Sequence, residues 1–198
     1  MVRAMRGLVT LLVVLGAAAP VAASVAAAGA PLPLQARVLR TSDLRLFPFT
    51  PRKQVTTHDV AGWSRDAGVA IAELRKDGFI AGIREDLRSL RTDSIGVSSA
   101  TQFKTAAGAA KAVAQTVASA ATLTAPRTFA APGIPGARGF EFSRGNDQTR
   151  QFFVTFADGD FEYLVGFART GTIPLPHVTA LISAVTSLYH RVAGHPAP

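Results

Sequence analysis

The chain has 198 residues, of which 48% are hydrophobic and 17% are charged, and its formal net charge is +8. This composition is typical of a globular domain with its own hydrophobic core and not of a disordered chain. The sequence contains no cysteine, which excludes a disulfide framework, a thiol nucleophile, a cysteine-based zinc site and a lipidated N-terminal cysteine. The basic residues are not clustered in a stripe, so we expect no nucleic-acid partner.

The N-terminal residues have the pattern of an export signal. The positively charged MVRAMR is followed by the apolar run GLVTLLVVLG and by the small residues of AAAPVAAS. We predict a signal peptide over residues 1–28, with cleavage after Ala23 or Ala28. An uncleaved anchor is the alternative, because apolar and small residues continue to Ala30, which is long enough to span a bilayer. In both cases the folded part lies outside the cytoplasm, secreted or in the cell envelope, and membrane contact is expected only through an uncleaved N-terminal segment.

The next part of the chain predicts a linker, a strand and a helix. Residues 29–36 have the composition of a linker, and the loose alternation over residues 36–47 indicates the start of a strand. PFTPRK, residues 48–53, is bounded by prolines and predicts a loop. Apolar residues at helical spacing then predict one helix over residues 62–76.

A β-hairpin and a second helix are predicted next. FIAGIREDLRSL alternates as a strand over residues 79–90, RTD makes the turn, and the chain returns as a strand over residues 93–103. The alanine-rich run over residues 104–123 predicts a helix with Thr105 as its N-cap. The Pro/Gly-containing connection that follows is long enough for a short edge strand over residues 128–130.

The C-terminal half predicts an antiparallel meander of three strands and a final helix. Apolar residues occupy alternate positions in three consecutive segments, which are separated by the turn sequences RGND and DGD. The residues predicted to share a face within each strand are Phe140 and Phe142; Phe152, Val154 and Phe156; and Phe161, Tyr163, Val165 and Phe167. Phe153 and Leu164 interrupt the opposite faces, so helices cover the second face of the sheet fully or in part. A helix over residues 172–192 and a frayed tail over residues 194–198 complete the chain.

These elements predict an α+β fold, in which an antiparallel sheet with a C-terminal-half meander is flanked by helices in a single domain over residues 37–193. In element order and in its two-sided sheet, the chain over residues 35–193 resembles the PsbP-like α/β/α sandwich. That fold occurs in exported proteins of high-GC bacteria, including the LpqN-type lipoproteins, from which this chain departs in having no cysteine to lipidate. The resemblance implies a non-catalytic binding or accessory module, and it assigns no functional residue.

His58 and Asp59 form the most reactive-looking pair in the sequence. A histidine beside a carboxylate can act as a base, which predicts a hydrolase as an alternative function. The structural alternative is a loop histidine followed by Asp59 as the cap of the next helix. Ser98 and Ser99 are not part of a Gly-x-Ser-x-Gly elbow, and the glycines around residues 133–139 precede a strand, so we expect neither acyl nor phosphoryl transfer.

The acidic and histidine residues do not predict a metal or a cofactor. Asp158, Asp160 and Glu162 alternate around a glycine turn and do not match a calcium loop, so we interpret them as solvated acids of a hairpin. The three histidines near the C-terminus are not spaced one helical turn apart, which argues against a zinc site.

Two groups of arginines can be interpreted in two ways. If they meet in one sheet they form a basic rim for an anionic group, and otherwise they belong to a solvated basic face. The first group is Arg84, Arg88 and Arg91, and the second is Arg138, Arg144 and Arg150.

Taken together, the sequence predicts a non-enzymatic, exported cell-envelope domain that binds a small apolar or amphiphilic ligand or a protein partner, without a cofactor. Phenylalanines at alternate strand positions are typical of a core, and they contact a ligand only where the helices leave a gap over the sheet. The predicted ligand contacts are Trp63, Phe153 and Tyr163, with Arg150 at the rim. The alternatives are a hydrolase that uses His58, and a basic adhesin for anionic wall polymers.

Overall fold

The computed structural model describes residues 32–45, 49–89, 94–123, 126–144, 149–169 and 178–194. These residues belong to the unit Pro31–Pro198, one of the two units into which the chain divides. Two 3₁₀ turns, Leu34–Ala36 and Thr41–Leu44, precede the first strand. The described strands are β1 (Phe49–Thr57), β2 (Phe79–Ser89), β3 (Ser94–Phe103), β4 (Arg127–Phe129), β5 (Arg138–Arg144), β6 (Thr149–Asp158) and β7 (Phe161–Arg169). The described helices are α1 (Val60–Ala67), α2 (Ile71–Asp77), α3 (Ala106–Ala121) and α4 (Val178–Val192).

The described strands form one antiparallel sheet in the order β1-β2-β3-β7-β6-β5-β4. The hairpin β2–β3 and the meander β5–β6–β7 pair as predicted, and the pairing of β3 with β7 joins them. The short strand β4 lies at the edge of the sheet beside β5, as predicted. The α+β fold with an antiparallel sheet flanked by helices is therefore confirmed.

One face of the sheet, which we call the α4 face, packs against α4 and the N-terminal segment. The buried aromatic side chains described on this face are Phe49 of β1 and, from the meander, Phe152, Phe156, Phe161, Tyr163 and Phe167. The rings of Phe156 and Tyr163 stack with their centroids 4.7 Å apart. The alternation of the meander therefore builds this core, as the sequence predicts. Phe140 and Phe142 also share a face, but it is the opposite one, where both contact Phe153.

The other face, which we call the α3 face, is covered in part by α1, α2 and α3. A second and smaller core lies under these helices and consists of Trp63, Leu74, Phe103, Ala109 and Ala112. The indole of Trp63 lies directly on Gly82 of β2, where an added Cβ would stand 2.2 Å from Cδ2 of the indole. Because glycine has no side chain, it allows this close approach of helix and sheet.

The strand predicted over residues 36–47 is wrong. Its described part, up to residue 45, contains the end of the first 3₁₀ turn and the whole of the second, and Val38 and Leu39 are both buried, so the apolar residues do not alternate between two faces. Ala36 is also buried, so packing against the sheet begins inside the predicted linker. The amide of Leu39 donates to Oγ of Ser98 on β3 at 2.9 Å, a bond to a side chain and not to a neighbouring strand.

Arg191 of α4 holds this N-terminal segment in place. Its Nη1 donates to both carboxylate oxygens of Asp43, at 2.8 and 2.7 Å. Its Nη2 donates to the carbonyl oxygen of Val38 at 2.8 Å, and its Nε donates to that of Ala36 at 3.3 Å. This one guanidinium thus binds a carboxylate and satisfies two backbone carbonyl oxygens. In a strand, the carbonyl oxygens would accept hydrogen bonds from a neighbouring strand instead.

The loop predicted over residues 48–53 is also wrong, because residues 49–53, the described part of this stretch, belong to β1. The strand pairs with β2 at the edge of the sheet, and its register shifts between Pro51 and Lys53. A proline is tolerated on an edge strand or at a bulge because its missing N–H removes no interior hydrogen bond. Most side chains of β1 are exposed, so the sequence lacks the apolar alternation by which a strand is recognised.

The helix predicted over residues 62–76 is divided into α1 and α2. Gly68 lies between them with φ of 71° and its N–H donates to the carbonyl of Ser64, which ends α1. Such a left-handed residue ends a helix with little strain only if it is glycine. The predicted N-cap of α3 is confirmed, since Oγ1 of Thr105 accepts from the N–H of Gly108 at 3.1 Å.

Some predictions concern residues outside the described ranges. They are the signal peptide over residues 1–28, the turns over residues 91–93 and 145–147, the start of the last helix before Val178, and the tail after Gly194. In the part of the chain that is described, no helix is long and apolar enough to cross a membrane.

Candidate functional site

A cavity of about 380 Å³ lies on the α3 face of the sheet. One wall is formed by α1, α2 and the connection between them, the other wall is formed by α3, and the floor is the sheet. Exposed residues such as Glu73 and Leu123 line it, so it is open to solvent. The helices therefore leave a gap over the sheet, as the predicted ligand site requires. Its volume lies in the range of small-molecule sites.

The register of the sheet places the floor residues in rows. Arg84 of β2 pairs with Ser99 of β3, which pairs with Leu164 of β7. One row further along, Thr101 pairs with Glu162. These five side chains line the cavity. Because they alternate with residues on the α4 face, the pattern that builds the aromatic core also builds this floor.

Glu162 is the carboxyl group at one end of the floor. Oγ1 of Thr116, on α3, donates to its Oε1 at 2.8 Å. Protein atoms surround its side chain on most sides. The residue is only half-buried because it also lines the open cavity. Burial raises the pKa of Glu162 to about 7; the hydrogen bond from Thr116 lowers the pKa in part, and the charge of Asp77 raises it. The carboxyl therefore changes its charge near neutral pH.

The other charged groups around the floor are mostly paired. Asp77 of α2 is buried, and its Oδ1 accepts from Nζ of Lys111 at 2.5 Å. Arg84 donates through Nε to Oδ1 of Asp86 at 2.7 Å and through Nη1 to the carbonyl of Asp66 at 2.6 Å. Among the described residues, no lysine or arginine side chain lies within salt-bridge distance of Glu162.

The floor becomes apolar beyond Leu164. The next residue of β7 on this face is Gly166, which pairs with Val97 on one side and with Phe153 on the other. A Cβ at Gly166 would meet Cβ of Phe153 at 3.3 Å and Cγ1 of Val97 at 3.6 Å. The apolar end of the floor is therefore formed by Val97 and Phe153, which lie close to each other on either side of Gly166. The same face of β3 continues to Ile95, which is 58% exposed.

Two of the four predicted ligand contacts, Trp63 and Phe153, line this cavity. Trp63 is 1% exposed, and its indole N–H has no acceptor among the described residues. Its ring stacks with Phe79 at 6.4 Å between centroids. Trp63 is thus primarily a packing residue, and Trp63→Ala would lower the free energy of unfolding by roughly 3–5 kcal/mol. This substitution does not separate binding from folding.

The other two predicted contacts lie on the α4 face and do not line the cavity. Tyr163 is fully buried, and its Oη accepts a hydrogen bond from Nη1 of Arg37 at 2.6 Å. Burial raises the pKa of Tyr163 to about 12, although the nearby Arg37 lowers it in part. The guanidinium of Arg150 lies 5.6 Å from the ring centre of Phe152 and pairs with Glu141. Both residues have partners that account for their positions without a ligand.

His58 and Asp59 are exposed and lie outside the cavity lining. Asp59 is the N-cap of α1. Its Oδ1 accepts from the N–H of Ala61 at 3.2 Å, and its Oδ2 accepts from the N–H of Gly62 at 2.8 Å. Both oxygens are therefore engaged with the helix and not with the imidazole, which corresponds to the structural alternative for this pair.

The two arginine groups do not meet in the sheet. β2, which carries Arg84 and Arg88, is separated from β6 by β3 and β7. Arg84 and Arg150 also lie on opposite faces, and Arg91 is outside the described residues. Among the described residues no group of three histidine or acidic side chains is placed to hold a metal ion.

The sequence interpretation missed Glu162 and Thr116 as site residues. Glu162 was interpreted as a solvated acid of the turn at residues 158–160. The alternation that places Phe161 and Tyr163 on the α4 face already places Glu162 on the opposite face, together with Leu164. That α3 covers Glu162 follows from tertiary packing, which the sequence pattern alone does not contain.

No protein-family model matches this chain, and no curated protein matches it. Among solved structures, the chain is similar to the extracellular domain of PknH from Mycobacterium tuberculosis, with a TM-score of 0.56 and 13% sequence identity. The likeness covers 80% of this chain and 97% of that domain. At this identity it shows the fold alone, which is an α+β fold also found in an extracellular domain. The finer resemblance to the PsbP-like sandwich is not confirmed.

Proposed function

We propose that this protein is a non-enzymatic domain of the bacterial cell envelope that binds a small amphiphilic molecule in the cavity on the α3 face. The observation that carries the proposal is the polarity of the floor. It has a carboxyl and hydroxyl end at Glu162 and Thr101, and an apolar end formed by Leu164, Val97 and Phe153. A cavity with apolar walls and a few converging polar groups is the usual form of a small-molecule site.

The non-enzymatic part of the proposal rests on the state of the reactive groups. Both carboxylate oxygens of Asp59 cap α1, and among the described residues no hydrogen bond joins this carboxylate to His58. Within the cavity, Ser99 donates weakly to the carbonyl of Leu164 at 3.5 Å, and no histidine of the described part of the chain lines the cavity beside it. A serine nucleophile needs an adjacent general base, and the described lining pairs Ser99 with none; the hydroxyl of Thr116 donates to Glu162, which we interpret as part of the binding site.

Export is supported by two independent observations. The N-terminal sequence has the charge, the apolar run and the small residues of a signal peptide. The fold is similar to that of a domain described as extracellular. A sheet with a core on both faces also suits a protein without cysteine, because it is stabilised by packing and not by disulfides.

The test is native mass spectrometry of the protein purified from an exporting bacterial host. We expect an additional mass that is released on denaturation. Ser99→Phe fills the cavity from the floor and should abolish this mass. The matched control is Ser183→Phe, an exposed position on α4 on the other side of the sheet, and it should retain the mass.

An apo mass for the wild-type protein, or equal retention by both variants, would contradict binding in this cavity. Circular dichroism of each variant establishes that it is folded, so loss of the ligand is not confused with loss of the fold.

A further inference from the structure

The head group of the ligand can be inferred from the charges that the cavity leaves unpaired. Four carboxyl side chains line it, those of Asp66, Glu73, Asp77 and Glu162, against the single guanidinium of Arg84 in the described lining. Asp77 is neutralised by Lys111 and Arg84 by Asp86. The unpaired charge that faces the floor is therefore negative, which opposes an anion and attracts a cation.

Glu162 is positioned to bind such a cation. Thr116 donates to its Oε1, no described residue donates a hydrogen bond to its Oε2, and the residue lines the cavity. Thr101 lies beside it on β3 and offers a further hydroxyl. A carboxylate in an enclosed site binds an ammonium group more strongly than one on the surface, because water screens the attraction less.

The geometry of β7 places an apolar groove next to this carboxyl group. Leu164 follows Glu162 on the same face at roughly 7 Å along the strand, and Gly166 follows at roughly 14 Å. Val97 and Phe153 flank Gly166 and form the apolar end of the floor. An extended alkyl chain of about ten carbons reaches from the carboxyl group to this apolar end.

Building on the function proposed above, we propose that the cavity selects amphiphiles with a protonated amine head group, which Glu162 binds while the alkyl chain lies over Leu164 and Gly166. A free alkylamine and an amine-bearing lipid share this chemistry.

The binding of a cation should depend on pH. An alkylamine stays protonated throughout the range from about pH 5.5 to pH 8, whereas Glu162, with a pKa of about 7, loses its charge as the pH falls. The other charged groups of the described lining are Asp66 on α1, Glu73 and Asp77 on α2, of which Asp77 is paired with Lys111 of α3, and Arg84 on β2. We expect amine binding to weaken roughly tenfold or more between pH 8 and pH 5.5, because protonation removes the paired charge.

The chain contains a single tryptophan, Trp63, and it lines the cavity. Its fluorescence therefore reports occupancy, and native mass spectrometry gives the stoichiometry. The probes are decylamine, decanol and decyl sulfate, each below its critical micelle concentration and at one ionic strength. At pH 8 we expect decylamine to bind at least about tenfold more tightly than decanol and decyl sulfate to bind most weakly, and at pH 5.5 the advantage of the amine should disappear.

Glu162→Gln should remove the preference for decylamine at pH 8 and leave decanol binding unchanged. The matched control, Glu141→Gln, removes one negative charge from the α4 face and should keep the preference. If Glu162→Gln does not fold, the comparison of head groups at two pH values in the wild-type protein decides the question alone.

Equal binding of amine and alcohol at pH 8, or a preference for the sulfate, would overturn the choice of head group and leave the proposed function intact. Failure of all three probes to bind would count against both. Binding of decylamine by the wild-type protein but not of an amine-headed lipid in short-chain micelles would assign the site to free amines.

Discussion

At the scale of single residues, the contact between Gly82 and Trp63 fixes how closely α1 approaches the sheet. Trp63 is 1% exposed, and an added methyl group at Gly82 would stand 2.2 Å from the indole. Neither partner can move without displacing others, since the ring also stacks on Phe79. This pair therefore sets the height of one wall of the cavity above its floor.

Gly82→Ala should therefore lower the free energy of unfolding by roughly 1–3 kcal/mol, because it overpacks a filled site. Urea unfolding followed by Trp63 fluorescence measures the loss. Gly166→Ala is the matched control, since its nearest contact would be 3.3 Å, and its effect should be under about 1 kcal/mol. Equal effects of the two substitutions would contradict the packing role of Gly82.

Glu162 is expected to reduce stability in the protein without ligand. Burial raises its pKa in the folded protein to about 7, from the ordinary glutamate value of 4.5. The contribution of neutral Glu162 to the free energy of unfolding is fully present below the unfolded pKa. It is lost as the pH rises through 7, because the carboxyl ionises more readily in the unfolded chain than in the folded protein. Glu162→Gln should therefore unfold with a free energy higher than wild type by roughly 1–3 kcal/mol at pH 8, with a smaller difference near pH 4.

Chemical unfolding of the two proteins across this pH range measures the difference. Glu141→Gln serves as the control for the change in net charge. A difference between wild type and Glu162→Gln that does not vary with pH would show that Glu162 titrates normally.

At the scale of elements, the N-terminal segment over residues 34–44 depends on α4. Arg191 is 17% exposed and Asp43 is 6% exposed, and the same guanidinium binds the carbonyls of Val38 and Ala36. Breaking a buried ion pair by removal of one partner leaves the other charge uncompensated. The segment also covers part of the aromatic core, so its opening exposes apolar side chains.

Arg191→Met should lower the free energy of opening of this segment by about 3 kcal/mol. Native-state hydrogen exchange at the amides of Leu39 and Asp43, which are hydrogen-bonded in the folded protein, measures the opening. Arg138→Met is the control, because that side chain is exposed, and its effect should be within about 0.5 kcal/mol. Faster exchange throughout the sheet, at rates equal to those of the segment, would mean that the segment does not open separately.

The elements also differ in whether a local sequence pattern is enough to predict them. The β2–β3 hairpin, α3 and the meander were predicted because each carries its own periodicity and turn residues. The first half of β1 is predicted as part of a loop over residues 48–53, because the strand forms through pairing with β2 and its exposed side chains do not alternate. The cavity combines both cases: alternation gives the face on which Glu162 and Leu164 lie, but the gap above them depends on how α2 and α3 pack, which no local pattern encodes.

At the scale of the whole molecule, the net charge of +8 and the acidic lining of the cavity favour different partners. The overall charge attracts anionic wall polymers, which was the basis of the adhesin alternative, whereas the cavity attracts an amphiphilic cation. Attraction between exposed charges is screened over about 10 Å at 0.1 M salt. Salt does not weaken the burial of an alkyl chain on an apolar floor in this way, because the chain carries no charge.

The two modes of binding should therefore separate under salt and substitution. Retention of the protein on a polyanionic resin should fall strongly as salt is raised above about 0.3 M, and Ser99→Phe should leave it unchanged, because the resin contacts the surface. Binding of decanol should show the opposite behaviour, since it should survive the salt and be lost in Ser99→Phe. If resin retention were lost in Ser99→Phe, the polymer would bind in the cavity; if it survived about 1 M salt, charge alone would not explain it. The first outcome would mean that the acidic floor had been assigned the wrong partner.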